Sequence, residues 1–147
     1  MFSILVVEDN ENLNKMMSAK LKMETYNVFS AFNGEEALEV LEHEHIDLII
    51  SDVMMPGIDG YELTKTLRSA NYTMPILMIT AKNQIEDMEK GFVAGTDDYM
   101  IKPINMREMI LRVNALLRRA KIANERRLIL GNTILDYDSL TIIYDGK

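Results

Sequence analysis

Asp47-Leu48-Ile49-Ile50-Ser51-Asp52-Val53-Met54-Met55-Pro56-Gly57 is the stretch that decides the fold. A short apolar run without polar alternation predicts a strand buried on both faces, and an acid closes it where a Pro-Gly loop begins. Three other runs end in the same way. Residues 4–7 (Ile-Leu-Val-Val) deliver Glu8-Asp9, residues 76–79 (Ile-Leu-Met-Ile) deliver Thr80-Ala81, and residues 99–101 (Tyr-Met-Ile) deliver Lys102-Pro103. Residues 28–31 predict one more, weaker strand. Between the runs, apolar residues recur at helical spacing: Leu13, Met16, Met17 and Leu21; Ala37, Leu38 and Leu41; Leu63 and Leu67; Ile85, Met88 and Phe92; Met109, Ile110, Val113, Leu116 and Leu117. Repeated strand and helix with continuously apolar strands predict an α/β fold, a doubly wound five-stranded parallel sheet with right-handed crossovers. Ligands of such sheets bind beyond the carboxyl ends of the strands, where the named polar residues lie.

The totals agree with one domain and an appendage. The chain has 147 residues, 48% of them hydrophobic, and no cysteine, so disulfides and thiolate metal sites are excluded. No apolar run approaches the roughly 20 residues of a membrane helix. Met1-Phe2 leads straight into the first strand without a signal-peptide pattern, so a cytoplasmic protein with no membrane partner is expected. Residues 120–147 hold four bases and four acids, which leaves the net charge of −7 on residues 1–119 and argues against phosphate-backbone binding by that body. The twelve methionines fall mostly on the apolar faces and read as core filling.

The pattern changes after Ala120. Residues 121–127 read as a polar linker. Residues 128–130, 133–137 and 140–144 read as short strands joined by turns at Gly131-Asn132 and Asp138-Ser139. The expected organisation is a main domain over 1–120, a linker over 121–127, and a short β-rich stub over 128–147 that begins a second domain.

Glu8, Asp9, Asp52, Thr80 and Lys102 at neighbouring strand ends suit a divalent metal and a phosphoryl group. Mg²⁺ favours oxygen ligands from one or two carboxylates, water and phosphate. Asp9 and Asp52 supply carboxylates, Glu8 can hold metal-bound water, and the Met54 carbonyl adds a neutral oxygen. A carboxylate beside such a metal can attack phosphorus, which makes Asp52 the acceptor. Lys102, the Thr80 hydroxyl and the backbone N–H of Ala81 would balance charge on the transferring group. Each part has a plainer reading. An Asp after a strand is usually a turn or cap residue, and Glu-Asp favours a helix start. Their order at four strand ends is what makes them a site. His43 and His45 sit beside glutamates near a predicted helix end and read as a solvated terminus.

These residues resemble the receiver domain of two-component response regulators over about residues 2–119. Val6-Val7-Glu8-Asp9 resembles the acidic-pair strand and residues 52–60 (Asp-Val-Met-Met-Pro-Gly-Ile-Asp-Gly) the phosphoacceptor loop, with Thr80-Ala81 and Lys102-Pro103 completing the set. The resemblance implies a flavodoxin-like sheet of order 2-1-3-4-5 and Mg²⁺-dependent transfer of a phosphoryl group to Asp52 from a sensor histidine kinase. It also implies a switch through Thr80 and Tyr99 and a Lys102-Pro103 peptide that is a candidate for cis. The protein is then a switch and not an enzyme, with at most self-phosphorylation and slow autodephosphorylation.

Residues 95–99 (Gly-Thr-Asp-Asp-Tyr) and 128–136 resemble the winged-helix transcription-factor branch. That implies control of transcription in a longer protein, with DNA bound only through a domain further on. It also implies a homodimer face on the fourth helix, fifth strand and last helix, with Phe92 and Ile110 as its apolar centre, an Asp98–Arg112 pair across the dimer, and Glu108 toward a base near Met88. A stand-alone receiver acting as a phosphorelay or protein-interaction module is the alternative. A haloacid-dehalogenase-like phosphohydrolase would need an acid two residues after Asp52, where Met54 stands. A nucleotide-binding protein would need a Gly-rich loop where Glu8-Asp9-Asn10 stands.

Overall fold

The computed structural model describes residues 1–81 and 94–136, with side chains as far as residue 123. In chain order the elements are β1 (Ser3–Val7), α1 (Glu11–Met23), β2 (Asn27–Ala31), α2 (Gly34–His43), β3 (Leu48–Asp52), α3 (Gly60–Ser69), β4 (Ile76–Thr80), β5 (Asp98–Ile101) and α4 (Met106–Asp136). The helix expected around Ile85, Met88 and Phe92 lies outside the described residues. The strands form one five-stranded sheet of order β2-β1-β3-β4-β5, parallel throughout. The chain divides into two compact units, Met1–Leu116 and Leu117–Lys147.

The strands are buried on both faces because their sequences carry no polar alternation. Leu5, Val7, Ile49 and Ile76 pack with Ala37 and Leu41 of α2 and with Leu63 and Leu67 of α3. Ile4, Val6, Leu48 and Ile50, the alternate residues, are equally buried and point to the opposite face. Each such side chain contributes roughly 1.5–3 kcal/mol by leaving water. The register sets Val7 beside Ser51, Asp52 beside Ile79, and Thr80 beside Ile101. Glu8, Asp52, Thr80 and Lys102 therefore emerge along one edge.

The opposite edge is tied by Arg68 of α3. Its guanidinium donates to the carbonyls of Tyr72, Met74 and Gly95 and to the Asp97 carboxylate. Asp97 in turn accepts the Ile76 N–H at the start of β4.

Helix α3 starts unusually close to the end of β3. Asp59 and Glu62 form a capping box there. A Cβ on Gly60 would stand 2.6 Å from the Asp52 carbonyl oxygen and 2.9 Å from the Met78 sulfur. The backbone atom cannot give way as a flexible side chain would. Gly60→Ala is expected to destabilise the fold by about 1–3 kcal/mol, as overpacking does. A denaturant midpoint equal to wild type would show that this approach is not tight.

Three expectations need correction. The buried face of α1 consists of Asn14, Met17, Ser18 and Leu21, so it is rotated from the expected one, and Met16 is exposed. Met17, Met55, Met78, Met100 and Met109 are core, but Met1, Met16, Met23 and Met54 are exposed, so methionine is not uniformly core filling here. Residues 121–127, expected as a linker, and residues 128–136, expected as strand, are part of α4, which continues to Asp136, and the strand expected over 140–144 lies outside the described residues. Ala, Leu, Arg, Lys and Glu dominate residues 115–130, with no Gly or Pro before Gly131, and these residues favour helix. A lone hairpin is marginal in water by comparison. Residues 137–147 lie outside the described ones. Among the described residues no helix is long and apolar enough to cross a membrane.

Candidate functional site

Glu8, Asp9 and Asp52 meet beyond the carboxyl ends of β1 and β3. One carboxylate oxygen from each lies within 4.8 Å of the others. Glu8 and Asp52 are buried, whereas Asp9 is exposed. Lys102 reaches over from the end of β5, with its Nζ 3.0 Å from Asp52 Oδ2 and 3.5 Å from Glu8 Oε1. The Met54 N–H points to Asp52 Oδ1 at a long 3.4 Å, while the Met54 side chain faces solvent. The Lys102–Pro103 peptide is cis.

Three acids and one base at this spacing leave an excess of negative charge. Burial pushes the Glu8 carboxyl up to about 7; the Asn10 N–H opposes this, Asp52 adds to it, Lys102 opposes it, and Asp9 adds to it. Burial alone would lower the Lys102 ammonium, but Asp52 and Glu8 raise it above its usual value. Among the described residues, the buried Glu8 Oε1 and Thr80 Oγ1 at this site make no hydrogen bond, although the Lys102 ammonium stands 3.5 Å from Glu8 Oε1. Buried polar atoms seldom stay unpaired without a reason. An acidic cluster with an orphaned carboxylate oxygen is a donor set that suits a hard cation such as Mg²⁺. The orphaned Thr80 hydroxyl suits an anionic group arriving beside it.

Tyr99 is buried and packs with Val53, Tyr61 and Met78. Ala81 follows Thr80 directly at the end of β4.

Of the residues expected on a dimer face, Ile110 is not an exposed one. Ile110 is 7% exposed, so it belongs to the interior of the chain and is withdrawn as an exposed apolar centre. It was misread because the helix spacing that makes it apolar fits burial against the sheet as well as against a partner. Phe92 and Met88 lie outside the described residues. Arg112 holds Asp98 in a bidentate pair within its own chain, at 2.9 and 3.0 Å, and takes Glu108 one turn away at 3.0 Å. The pair expected across a dimer is therefore satisfied internally, and so is Glu108. Both acids raise the Arg112 guanidinium further, Asp98 most.

Reading the sequence missed Asn10 and Asn14. The Asn10 N–H donates to Glu8 Oε2 at 3.0 Å, and its side chain caps α1 through the Leu13 N–H. Asn14 is buried and donates to the carbonyls of Glu8 and Ala31. The available signal was Asn14 and Ser18, spaced i and i+4 on a helix whose other polar residues face water.

Comparison with known proteins agrees with this geometry. The profile of the response regulator receiver domain matches residues 4–114. The heme response regulator HssR of Staphylococcus epidermidis is 37% identical over all 147 residues, which span 65% of that protein. The chain thus covers less than two thirds of the length of this relative. Among solved structures, the receiver domain of Francisella response regulator 1452 is 33% identical with a TM-score of 0.77, covering 82% of this chain and 99% of that one. A response regulator from Chloroflexus aurantiacus is 39% identical with a TM-score of 0.75, covering 80% of this chain and 98% of that one. With this match spanning every strand of the sheet and each residue of the acidic cluster, the chain belongs to the receiver domain family of two-component response regulators.

Proposed function

We propose that Asp52 is the phosphoacceptor of a Mg²⁺-dependent switch, charged by a sensor histidine kinase or a small phosphodonor. The observation that carries this reading is the buried Asp52 carboxylate, which stands between acids that attract a cation and an ammonium 3.0 Å away that can receive an anion. Asp9 and Asp52 would hold the metal directly, Glu8 through water, and Met54 through its carbonyl. Mg²⁺ supplies charge neutralisation for the acids and for the incoming phosphoryl group.

One Asp52 oxygen attacks phosphorus, the bond from phosphorus to the donor nitrogen or oxygen breaks, and the departing group keeps the electron pair. Lys102 then exchanges part of its contact with Asp52 for a phosphoryl oxygen. The Thr80 hydroxyl and the Ala81 N–H donate to the others. Movement of Thr80 changes the space beside Tyr99 and biases the face formed by β5 and the start of α4. Dimerisation through Asp98, Glu108 and Arg112 would require their internal pairs to exchange for pairs with a second chain. Control of transcription belongs, in this reading, to the longer protein. The chain is a phosphoacceptor and not a turnover enzyme.

The test is to treat the protein with acetyl phosphate or beryllofluoride, with and without Mg²⁺, and to follow intact mass and oligomeric state. One phosphoryl group per chain is expected, and only with Mg²⁺. Labelling that ignores Mg²⁺, or no labelling, ends the reading. Dimers that survive Asp98→Ala combined with Arg112→Ala reject those residues as dimer contacts without touching the acceptor.

A further inference from the structure

Asn14 is buried to 1% exposure in the first turn of α1, and every polar atom of its amide is used. Its nitrogen donates to the carbonyls of Glu8 at 3.0 Å and Ala31 at 3.1 Å. Its oxygen accepts the Ser18 hydroxyl at 3.2 Å, and the hydroxyls of Ser18 and Ser30 lie 3.1 Å apart. Both carbonyls lie where the β1–β2 ladder runs out. Val7 beside Ala31 is the last register pair, and the Glu8 N–H to the Ala31 carbonyl, 3.1 Å, is the final rung.

The place of one carbonyl matters for the site. Successive residues of a strand point to opposite faces. Glu8 and Asp9 nevertheless both offer an oxygen to the same cluster. Both lie beyond the end of β1, where the chain has left the strand, and the carbonyl of the peptide that joins them is the Glu8 carbonyl that Asn14 holds. The Glu8 side chain is fixed independently by the Asn10 N–H at 3.0 Å. The amide of Asn14 thus holds the peptide that joins the two acids.

We propose that Asn14 is a positioning residue for the divalent-cation site, acting through the Glu8–Asp9 peptide. This rests on the Mg²⁺ reading above. Asn14 touches neither the acids' oxygens nor the acceptor. It orients the backbone that carries two of the three carboxylates. A purely structural role would show in stability alone, whereas a positioning role shows in cation affinity at equal folding.

The experiment titrates Mg²⁺ alone into the full chain by calorimetry, alongside denaturant unfolding, for wild type, Asn14→Ala, Asn14→Ser and Leu21→Ala. Leu21 is fully buried at the far end of the same helix and serves as the control for lost stability. Asn14→Ala is expected to weaken Mg²⁺ binding about tenfold or more, the loss typical of an outer-shell partner. Asn14→Ser keeps one hydroxyl donor and should lose less. Leu21→Ala should unfold more easily yet bind Mg²⁺ as wild type does. If Asn14→Ala does not fold, Asn14→Ser decides. Folded Asn14 variants with wild-type affinity, or with a loss no greater than that of Leu21→Ala, overturn the positioning role and leave the metal reading intact. A wild type that binds no Mg²⁺ overturns both.

Discussion

Asp52→Asn is expected to take up no phosphoryl group from acetyl phosphate at any Mg²⁺ concentration, while remaining folded. The substitution keeps the size of the side chain and removes the anionic oxygen that would attack phosphorus. The position is 3% exposed, so water cannot readily bring a different nucleophile to the same place. Lys102 loses its 3.0 Å partner but keeps Glu8 at 3.5 Å, so the ammonium is not left alone. Removing one of three clustered acids relieves repulsion, which is why the fold should survive without Mg²⁺. Intact mass after incubation with Mg²⁺ and acetyl phosphate reads the result directly. A variant labelled to the same stoichiometry as wild type would mean that another acid, with Asp9 the nearest exposed one, is the acceptor.

The features legible in the sequence were those set by continuous hydrophobicity. Residues 4–7, 48–50 and 76–79 are apolar at every position because helices or other buried side chains cover both faces. A parallel sheet puts those ends on one edge, so the strand ends alone bring Glu8, Asp9, Asp52, Thr80 and Lys102 together. What polarity conceals was lost. Asn14 and Ser18 carry no apolar signal, yet both are buried because the end of the sheet offers them carbonyl and hydroxyl partners. Arg112 and Asp98 read as a pair available to a partner, since charge complementarity along the sequence does not say whether two side chains meet within one chain or between two. Residues 128–136 carry the β-branched and apolar residues of strands, but strands need neighbours, and a helix satisfies its own backbone. The position of Tyr99 in the chain marks it as a switch residue by resemblance alone, and its packing against Val53, Tyr61 and Met78 is a property that no motif encodes.

Glu8→Gln is expected to raise the stability of the Mg²⁺-free protein near pH 8 while reducing what Mg²⁺ adds. The Glu8 carboxyl is fully buried, and its pKa is pushed from the usual 4.5 up to about 7. The folded state therefore holds this proton more tightly than the unfolded chain does. The stabilisation tied to the protonated acid is complete below about pH 4.5 and is lost as pH rises through about 7. At roughly 1.4 kcal/mol per pH unit, the loss by about pH 8 is on the order of 3 kcal/mol. Glutamine keeps one oxygen for the Asn10 N–H, turns its NH2 toward the Lys102 side, and has no charge to bury. In chelator, the variant should lose little stability between about pH 5 and pH 8, whereas wild type declines, and the two should converge near pH 4. Mg²⁺ should reverse the ranking, because a cation that binds the folded state stabilises it in proportion to its affinity, and the variant lacks one of the acids that attract it. Denaturant midpoints at the two pH values, in chelator and in Mg²⁺, separate these effects. If the variant is no more stable than wild type near pH 8 in chelator, the repulsion resides elsewhere in the cluster. If it is more stable there and gains less from Mg²⁺, the same buried charge that weakens the metal-free fold is the charge that holds the cation, and the conditions that favour metal binding are those in which Glu8 has given up its proton.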